Sequence, residues 1–135
     1  MNTRLYRDGL IYIDEKSQKY RALKRLWSFG NYSRYVRPGY VRVDIRTSTR
    51  DQEKMLPTAF VGTNDQGQRE MVMVFINEGI NDQEFVLEGA EGYERIAMYV
   101  TSDAYDLECV LDESYDTSAP ITIPMKSVTT VVLVK

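Results

Sequence analysis

Histidine is absent from this 135-residue sequence, and cysteine occurs once. Without histidine, the Ser/His/Asp and Cys/His triads, imidazole metal sites and the commonest general base are all excluded. The single Cys109 excludes an internal disulfide, and its place in an alternating stretch predicts a small, buried, apolar side chain. Any chemistry would therefore depend on carboxylates, lysine or tyrosine.

Long apolar runs are missing as well. No stretch approaches the ~20 residues that cross a bilayer, and the N-terminal text MNTRLYRDG lacks the apolar core of a signal peptide. We therefore predict neither a membrane span nor a signal peptide in this chain. A length of 135 residues predicts one domain that can bury a core without disulfides or metal.

The net charge of −3 hides a strong asymmetry along the chain. Residues 1–50 carry 12 Lys and Arg against 4 Asp and Glu, which gives +8, whereas residues 51–135 carry 5 against 16, which gives −11. A basic helix could bind nucleic acid, but the acidic remainder would repel phosphate, and no nucleic-acid-binding motif accompanies it. We therefore expect no nucleic acid partner and interpret the basic part as a surface that meets an acidic neighbouring domain.

The stretch 19–43, KYRALKRLWSFGNYSRYVRPGYVRV, predicts a helix that leads directly into a strand. At about 100° per residue, the first half of this helix has one apolar face. That face consists of Tyr20, Leu23, Leu26 and Trp27. In the second half the apolar residues move to the other side, as a set made of Phe29, Tyr32, Tyr35 and Val36. The two halves should therefore contact two different surfaces before Pro38 and Gly39 end the helix.

Strand and turn patterns fill the rest of the chain. Met71–Ile76 is apolar without interruption, so its strand should be central and covered on both faces. Residues 47–57 are polar and predict a turn. Spacing of about 8–12 residues per strand predicts a mostly β fold, an antiparallel β-sandwich preceded by one N-terminal α-helix. The predicted strands are 9–14, 40–46, 58–62, 70–77, 83–87, 95–101, 105–111, 120–123 and 127–134.

Carboxylates are numerous, and two of them could act as acid and base in glycoside hydrolysis. Three pairs lie close together in predicted loops: Asp103 with Asp106, Glu88 with Glu91, and Asp112 with Glu113. Acidic residues are usual in such loops, so we interpret them as solvated and predict no catalytic residue. A small catalytic β protein would instead need two acids that converge in a pocket.

Two kinds of binding site are considered beside catalysis. The ten tyrosines could provide a platform on which sugar rings stack, with outward positions predicted for Tyr40, Tyr99, Tyr105 and Tyr115. Tyrosine is equally common in sheets for packing alone, so both interpretations stay open. The loop 64–67 lacks the alternating Asp ligands and closing Glu of a calcium loop. We predict no metal and no cofactor.

Two segments resemble a known family. YRAL at 20–23 and NYSRYVRPG at 31–39 resemble the passage that ends the catalytic barrel and opens the side domain in glycoside hydrolase family 30. Related endo-β-1,6-galactanase-like enzymes of the same glucosylceramidase-related clan share it. GLIYID at 9–14 resembles the segment just before. Further elements agree in order, so the resemblance covers nearly the whole chain: 58–60, 72–77, 99–102, 121–124 and 127–130.

The resemblance implies a division of the chain and an absence. Residues 1–36 would be the last strand and helix of a (β/α)8 barrel, and residues 37–135 a β-sandwich side domain. Enzymes of this family use two barrel glutamates in a retaining mechanism, and no residue here matches either position. The resemblance also implies that strands from the N-terminal part of the enzyme complete the sandwich, which would leave a sheet edge open in this chain.

We therefore predict a non-catalytic accessory domain of a secreted or periplasmic bacterial glycoside hydrolase. It would stabilise the catalytic barrel and assist polysaccharide binding. A free-standing carbohydrate-binding module is the alternative. The expected contact with the barrel is the face of Tyr20, Leu23, Leu26 and Trp27, and leaving it uncovered would favour self-association, since burying each large apolar side chain contributes about 1.5–3 kcal/mol.

Overall fold

The computed structural model describes residues 9–48 and 54–135. Residues 1–8, which belong to the stretch predicted to lack a signal peptide, and residues 49–53 of the predicted 47–57 turn lie outside these residues. Within the described ranges there are ten strands and one helix. Their bounds are β1 Ile11–Asp14, β2 Lys19–Ala22, α1 Lys24–Ser33, β3 Val41–Val43, β4 Met55–Thr63, β5 Arg69–Asn77, β6 Gln83–Phe85, β7 Arg95–Thr101, β8 Asp106–Ser114, β9 Ile121–Ile123 and β10 Ser127–Val134.

Six antiparallel strands form the main sheet, in the order β3-β4-β5-β10-β7-β8. Its centre is the β5–β10 pair, whose register runs from Asn77 opposite Ser127 to Glu70 opposite Val134. The predicted central place of residues 71–76 is confirmed. Because alternate residues of a strand point to opposite faces, Met73 and Phe75 are buried on one face, and Val72 and Val74 are buried on the other.

A two-stranded ribbon of β6 and β9 covers one face of the main sheet. The rings of Phe85 in β6 and Phe75 in β5 stack with their centroids 5.9 Å apart. Ile121 and Ile123 of β9 are buried in the same cluster. Two layers packed face to face make a sandwich, so the predicted mostly β, antiparallel β-sandwich fold is confirmed.

The helix α1 covers the opposite face of the main sheet. As expected for the second half of the predicted helix, Tyr32, Tyr35 and Val36 pack against Val72 and Val74. Phe29 departs from that expectation, because its side chain is 59 % exposed. The helix therefore has one face on the sheet and an apolar residue on the other.

The predicted start of the helix at residue 19 is wrong. Strands β1 and β2 form an antiparallel hairpin, and α1 begins only at Lys24. The turn between the strands is held by Asp14, whose carboxylate accepts hydrogen bonds from the Lys16 N–H at 3.1 Å and the Ser17 hydroxyl at 2.6 Å. A short run such as 19–22 fits both periodicities, and this local turn chemistry favours the strand.

Strand β4 begins earlier than predicted, and β3 is shorter. Residues 55–57 belong to β4 and not to a turn, with Pro57 opposite Phe75 of β5. A proline is tolerated there because β3 pairs with β4 only from Ala59 to Val61, so Pro57 needs no hydrogen bond on that side. Past Val43 the chain belongs to no strand through Ser48, although Ile45 still packs on the core.

Gly62 in β4 provides the space that Tyr40 fills. A β-carbon at Gly62 would lie 2.2–2.6 Å from three ring carbons of Tyr40. The tyrosine ring thus lies directly on the glycine backbone, an arrangement in which an aromatic side chain shields a strand glycine.

We expect Gly62→Ala to lower the free energy of unfolding by about 1–3 kcal/mol, because the methyl group forces the ring outward. Urea denaturation followed by circular dichroism measures this loss. In a Tyr40→Ala background the same substitution should cost far less. An equal cost in both backgrounds would contradict the ring-on-glycine contact.

Candidate interdomain surface

The β1–β2 hairpin presents one apolar face. In its register Ile11 lies opposite Ala22 and Ile13 opposite Tyr20. Residues directly opposite each other in an antiparallel pair share a face, as do residues two apart, so these four side chains lie together. The exposed fractions are 50 % for Ile11, 66 % for Ile13 and 79 % for Tyr20.

The other face of the hairpin is polar. Tyr12 lies opposite Arg21, and the guanidinium carbon is 5.2 Å from the centre of the tyrosine ring. Asp14 lies opposite Lys19 on the same side. Hydrogen bonds from the Lys16 N–H and the Ser17 hydroxyl lower the pKa of the Asp14 carboxyl, so it stays ionised in the turn. The hairpin is therefore amphipathic, although neither face is covered.

The hairpin is fixed to the helix through one residue. Leu23 separates β2 from α1 and is extended, with φ −95° and ψ 158°. Its N–H donates a hydrogen bond of 3.0 Å to the Leu10 carbonyl, which joins the two ends of the hairpin at the start of the helix. Such a short connection makes the direction of the hairpin depend on that of α1.

The four residues predicted for the barrel contact do not form one helical face. Tyr20 lies on β2, whereas Leu26 and Trp27 lie on α1 and Leu23 lies between the two elements. Tyr20 is exposed, and the other three are half-buried. Sequence reasoning missed Ile11 and Ile13, which share the face of Tyr20. The signal for them was a short β-branched run that needed a partner strand.

The four tyrosines predicted to face outward are not brought together. Tyr99 stacks on Tyr35 with ring centroids 4.4 Å apart, on the helix side of the main sheet. Tyr40 also packs on that side, and its hydroxyl is bonded to Glu70. Tyr115 packs on the opposite side, against the core beneath the ribbon. Tyr105, in the loop between β7 and β8, is 40 % exposed.

The three acidic pairs do not form a pocket, because each of their residues is exposed: Asp103, Asp106, Glu88, Glu91, Asp112 and Glu113. Asp106 is paired with Lys24 and Asp112 with Arg95. Asp106, Asp112 and Glu113 belong to β8 rather than to loops, so that part of the prediction is wrong. Among residues 9–48 and 54–135, no three His, Cys, Asp or Glu are grouped as metal ligands.

Cys109 is exposed, so its predicted burial is wrong. It lies on β8, which is at the edge of the main sheet. A register shift after Met98 leaves Val110 without a partner, since Met98 pairs with Leu111 and Tyr99 pairs with Cys109. Such a bulge breaks the alternation from which burial was inferred.

A cleft of about 440 Å³ opens between the main sheet and the ribbon. Met71, Met73 and Phe75 line it from the sheet. Residues 43–48 and 86–90 line it as well. The ribbon has two strands against six in the main sheet, so part of the apolar face beneath it is left open.

A second cleft, of about 470 Å³, lies beside α1 and has three lysines in its lining. The ammonium group of Lys24 donates hydrogen bonds to Asp106 and to the Tyr105 carbonyl. That of Lys126 donates to the Glu78 carbonyl at 2.6 Å. These two ammonium groups are used in hydrogen bonds between neighbouring segments of the chain. We therefore interpret the cleft as structural rather than as a binding site.

Among the carboxylates that the structure describes, Glu70 is the buried one. It is 9 % exposed, and one of its oxygens accepts a hydrogen bond of 2.8 Å from the Tyr40 hydroxyl. Burial raises the pKa of the Glu70 carboxyl above its usual range, partly opposed by that hydrogen bond. Burial and the same hydrogen bond raise the pKa of Tyr40 to about 12. The pair lies at the β3 side of the main sheet and fixes Tyr40 there.

Comparison with known proteins shows which enzymes this chain is similar to. The glucuronoxylanase XynC of Bacillus subtilis is 32 % identical over 114 residues, which are 82 % of this chain and 25 % of that protein. The chain is homologous to the C-terminal region of glycoside hydrolase family 30. No family model matches the sequence. The suspected family is thus confirmed, and the chain spans about a quarter of this relative.

Solved structures have the same fold. A subfamily 8 xylanase, Xyn30A of Clostridium acetobutylicum, superposes with a TM-score of 0.72 at 23 % identity, over 94 % of this chain and 31 % of the other. A conserved exported protein of Bacteroides fragilis superposes with a TM-score of 0.68 at 25 % identity, over 84 % and 22 %. Within the described parts of this family 30 region, no helix is long and apolar enough to cross a membrane.

We expect the stability of this family 30 region to depend on the ionisation of Glu70. Its pKa is raised in the folded state, so between the unfolded and folded pKa values the native state binds more protons, and stability falls as pH rises through that window. Glu70→Gln should remove this fall and raise the thermal midpoint at pH 7 relative to wild type.

Thermal unfolding followed from the ordinary glutamate pKa up to neutral pH measures the effect. The exposed Glu84 on β6 offers a matched control, since Glu84→Gln should leave the pH profile unchanged. A Glu70→Gln profile parallel to wild type would contradict the interpretation.

Proposed function

We propose that this chain is the non-catalytic β-sandwich accessory domain of a glycoside hydrolase, where it packs against the catalytic barrel and stabilises it. The uncovered β1–β2 hairpin carries this proposal. A two-stranded hairpin alone in water is marginally stable at best, and here seven of its eight strand residues are exposed. Its apolar face therefore calls for a cover, and three quarters of the relative lie outside the matched region.

The contact surface is the hairpin face of Ile11, Ile13, Tyr20 and Ala22, extended along α1 by Phe29. Covering large apolar side chains of this kind contributes about 1.5–3 kcal/mol each. In the turn and on the polar side of the hairpin, the cations Lys16, Lys19 and Arg21 outnumber the anions Asp14 and Glu15. An apolar patch whose border has a small net positive charge fits a partner surface that carries carboxylates at its rim.

The proposed hairpin contact with the barrel does not cover the cleft beneath the ribbon. A second part of the enzyme would cover it. The resemblance implies that strands from the N-terminal part of the parent complete the sandwich. The cleft beside β6 offers them an apolar floor of Met71, Met73 and Phe75. An extended strand there would cover this floor and pair with an open sheet edge.

The parent enzyme is proposed to be a secreted bacterial enzyme that acts on xylan or a related polysaccharide. Support comes from the relatives, one named a glucuronoxylanase and one described as an exported protein. The catalytic glutamates belong to the barrel in this proposal. Sugar contact by Tyr40, Tyr99, Tyr105 and Tyr115 stays a prediction, as does self-association through the uncovered hairpin face. Exposure favours Tyr105 among the four.

Chimeric enzymes test the contact surface. We expect a chimera in which this chain replaces the C-terminal region of the B. subtilis glucuronoxylanase to fold, and Ile13→Ser with Tyr20→Ser to lower its thermal midpoint by several degrees, because each change removes buried apolar area. The same pair in the isolated chain should change the midpoint little, since both side chains are exposed there.

Ile80→Ser is the matched control, because Ile80 is 73 % exposed in the loop between β5 and β6. Equal midpoints for the control and the hairpin variants of the chimera would contradict docking through the hairpin.

We also expect the isolated chain to release no reducing sugar from xylan and no aglycone from aryl xylosides. Chromatographic product detection over long incubation checks this. Hydrolysis that a single substitution within this chain abolishes would show that the chain has its own active site and would overturn the accessory role.

A further inference from the structure

We infer that the buried side chain of Asn31 sets the direction of α1 on the main sheet and so the direction in which the hairpin is presented. Asn31 is fully buried on the side of the helix that faces the main sheet. Its amide nitrogen donates to the Thr101 hydroxyl at 2.8 Å and to the Trp27 carbonyl at 3.1 Å. Its side-chain oxygen accepts from the Thr130 hydroxyl at 2.8 Å.

These bonds join the helix to two neighbouring strands. Thr101 belongs to β7 and Thr130 to β10, and both are buried. The Thr130 hydroxyl has one proton, which it shares between the Asn31 side-chain oxygen and the Asn31 backbone carbonyl, each 2.8 Å away. Side chain and backbone of one residue are thus held on the same strand. Hydrogen bonds require specific distances and angles, whereas apolar contacts tolerate sliding and rotation. A buried polar contact of this kind selects one orientation.

A bulge in β8 provides a further contact between the sheet and the helix. Val100 pairs with Glu108 and Thr101 with Asp106, so Leu107 is an extra residue. It has φ +59°, its N–H bonds the Thr101 hydroxyl oxygen at 3.1 Å, and its side chain is 9 % exposed. A β-carbon on Gly30 of α1 would lie 2.9 Å from Leu107 Cδ2. The bulge thus aims Leu107 at the one helical residue without a side chain.

Asn31→Leu isolates the orienting role. The substitution keeps a branched side chain of similar size and removes the amide, while Thr130 keeps its bond to the residue 31 carbonyl and Thr101 keeps its bond to the Leu107 N–H. No backbone group is left unpaired by this change, so stability should change little. What is lost is the polar contact that fixes the angle of the helix.

Pulsed electron–electron distance measurements test this in the full chain. Nitroxide labels are placed at Glu15→Cys in the hairpin turn and Glu84→Cys on β6, in a Cys109→Ser background. We expect one narrow distance distribution for the labelled chain that keeps Asn31. With Asn31→Leu the distribution should be at least twice as broad, while the thermal midpoint stays within a few degrees of that of the chain with Asn31. Lys24→Met, which removes the exposed tether between α1 and Asp106, should keep the distribution narrow.

Two results would overturn the inference. A distribution that stays narrow with Asn31→Leu would show that apolar packing alone orients the helix. A large fall in the thermal midpoint would show that Asn31 serves stability instead. Neither result bears on whether the hairpin docks on a catalytic barrel, because the distances are measured in the isolated chain.

Discussion

A six-stranded sheet that is apolar on both faces must be covered twice, and the rest of this structure follows from how it is covered. Val72 and Val74 face the helix, and Met73 and Phe75 face the ribbon, so the central strands cannot be left bare on either side. The covers differ in kind. A helix needs contacts that fix its direction on the sheet. The two-stranded ribbon is narrower than the six-stranded sheet that it faces. Hydrogen bonds of Asn31 hold α1 to one face of the sheet, whereas the narrow ribbon leaves an open cleft on the other face.

Much of the fold could be predicted from sequence because burial leaves a clear pattern in the central strands. Residues 71–76 are apolar throughout, as are residues 131–134, which marks strands covered on both faces. The hairpin at 11–22 could not be predicted in the same way. Its side chains are exposed, so no burial pattern selected between helix and strand, and the turn at Asp14 decided the outcome through hydrogen bonds.

The candidate surface was harder to predict than the fold. Tyr20 was found, but its neighbours Ile11 and Ile13 come from a strand that pairs with it across the turn, and pairing is not visible in helical periodicity. The four tyrosines are not brought together, for another reason. Tyr99 and Tyr115 occupy alternating strands or their ends, where the bulges in β8 and the place of each strand in the sheet decide which way a ring points. Asn31 carried no signal, because a polar residue on a helix is usually solvated.

The order of strands in the main sheet has a consequence for folding. β10 is the last strand of this chain, yet it lies between β5 and β7 and pairs with both along nearly its whole length. Without β10 the sheet would divide into two parts, β3-β4-β5 and β7-β8, whose inner edges would be unpaired. One strand therefore joins the two parts through long-range pairings, and such pairings are slow to form during folding.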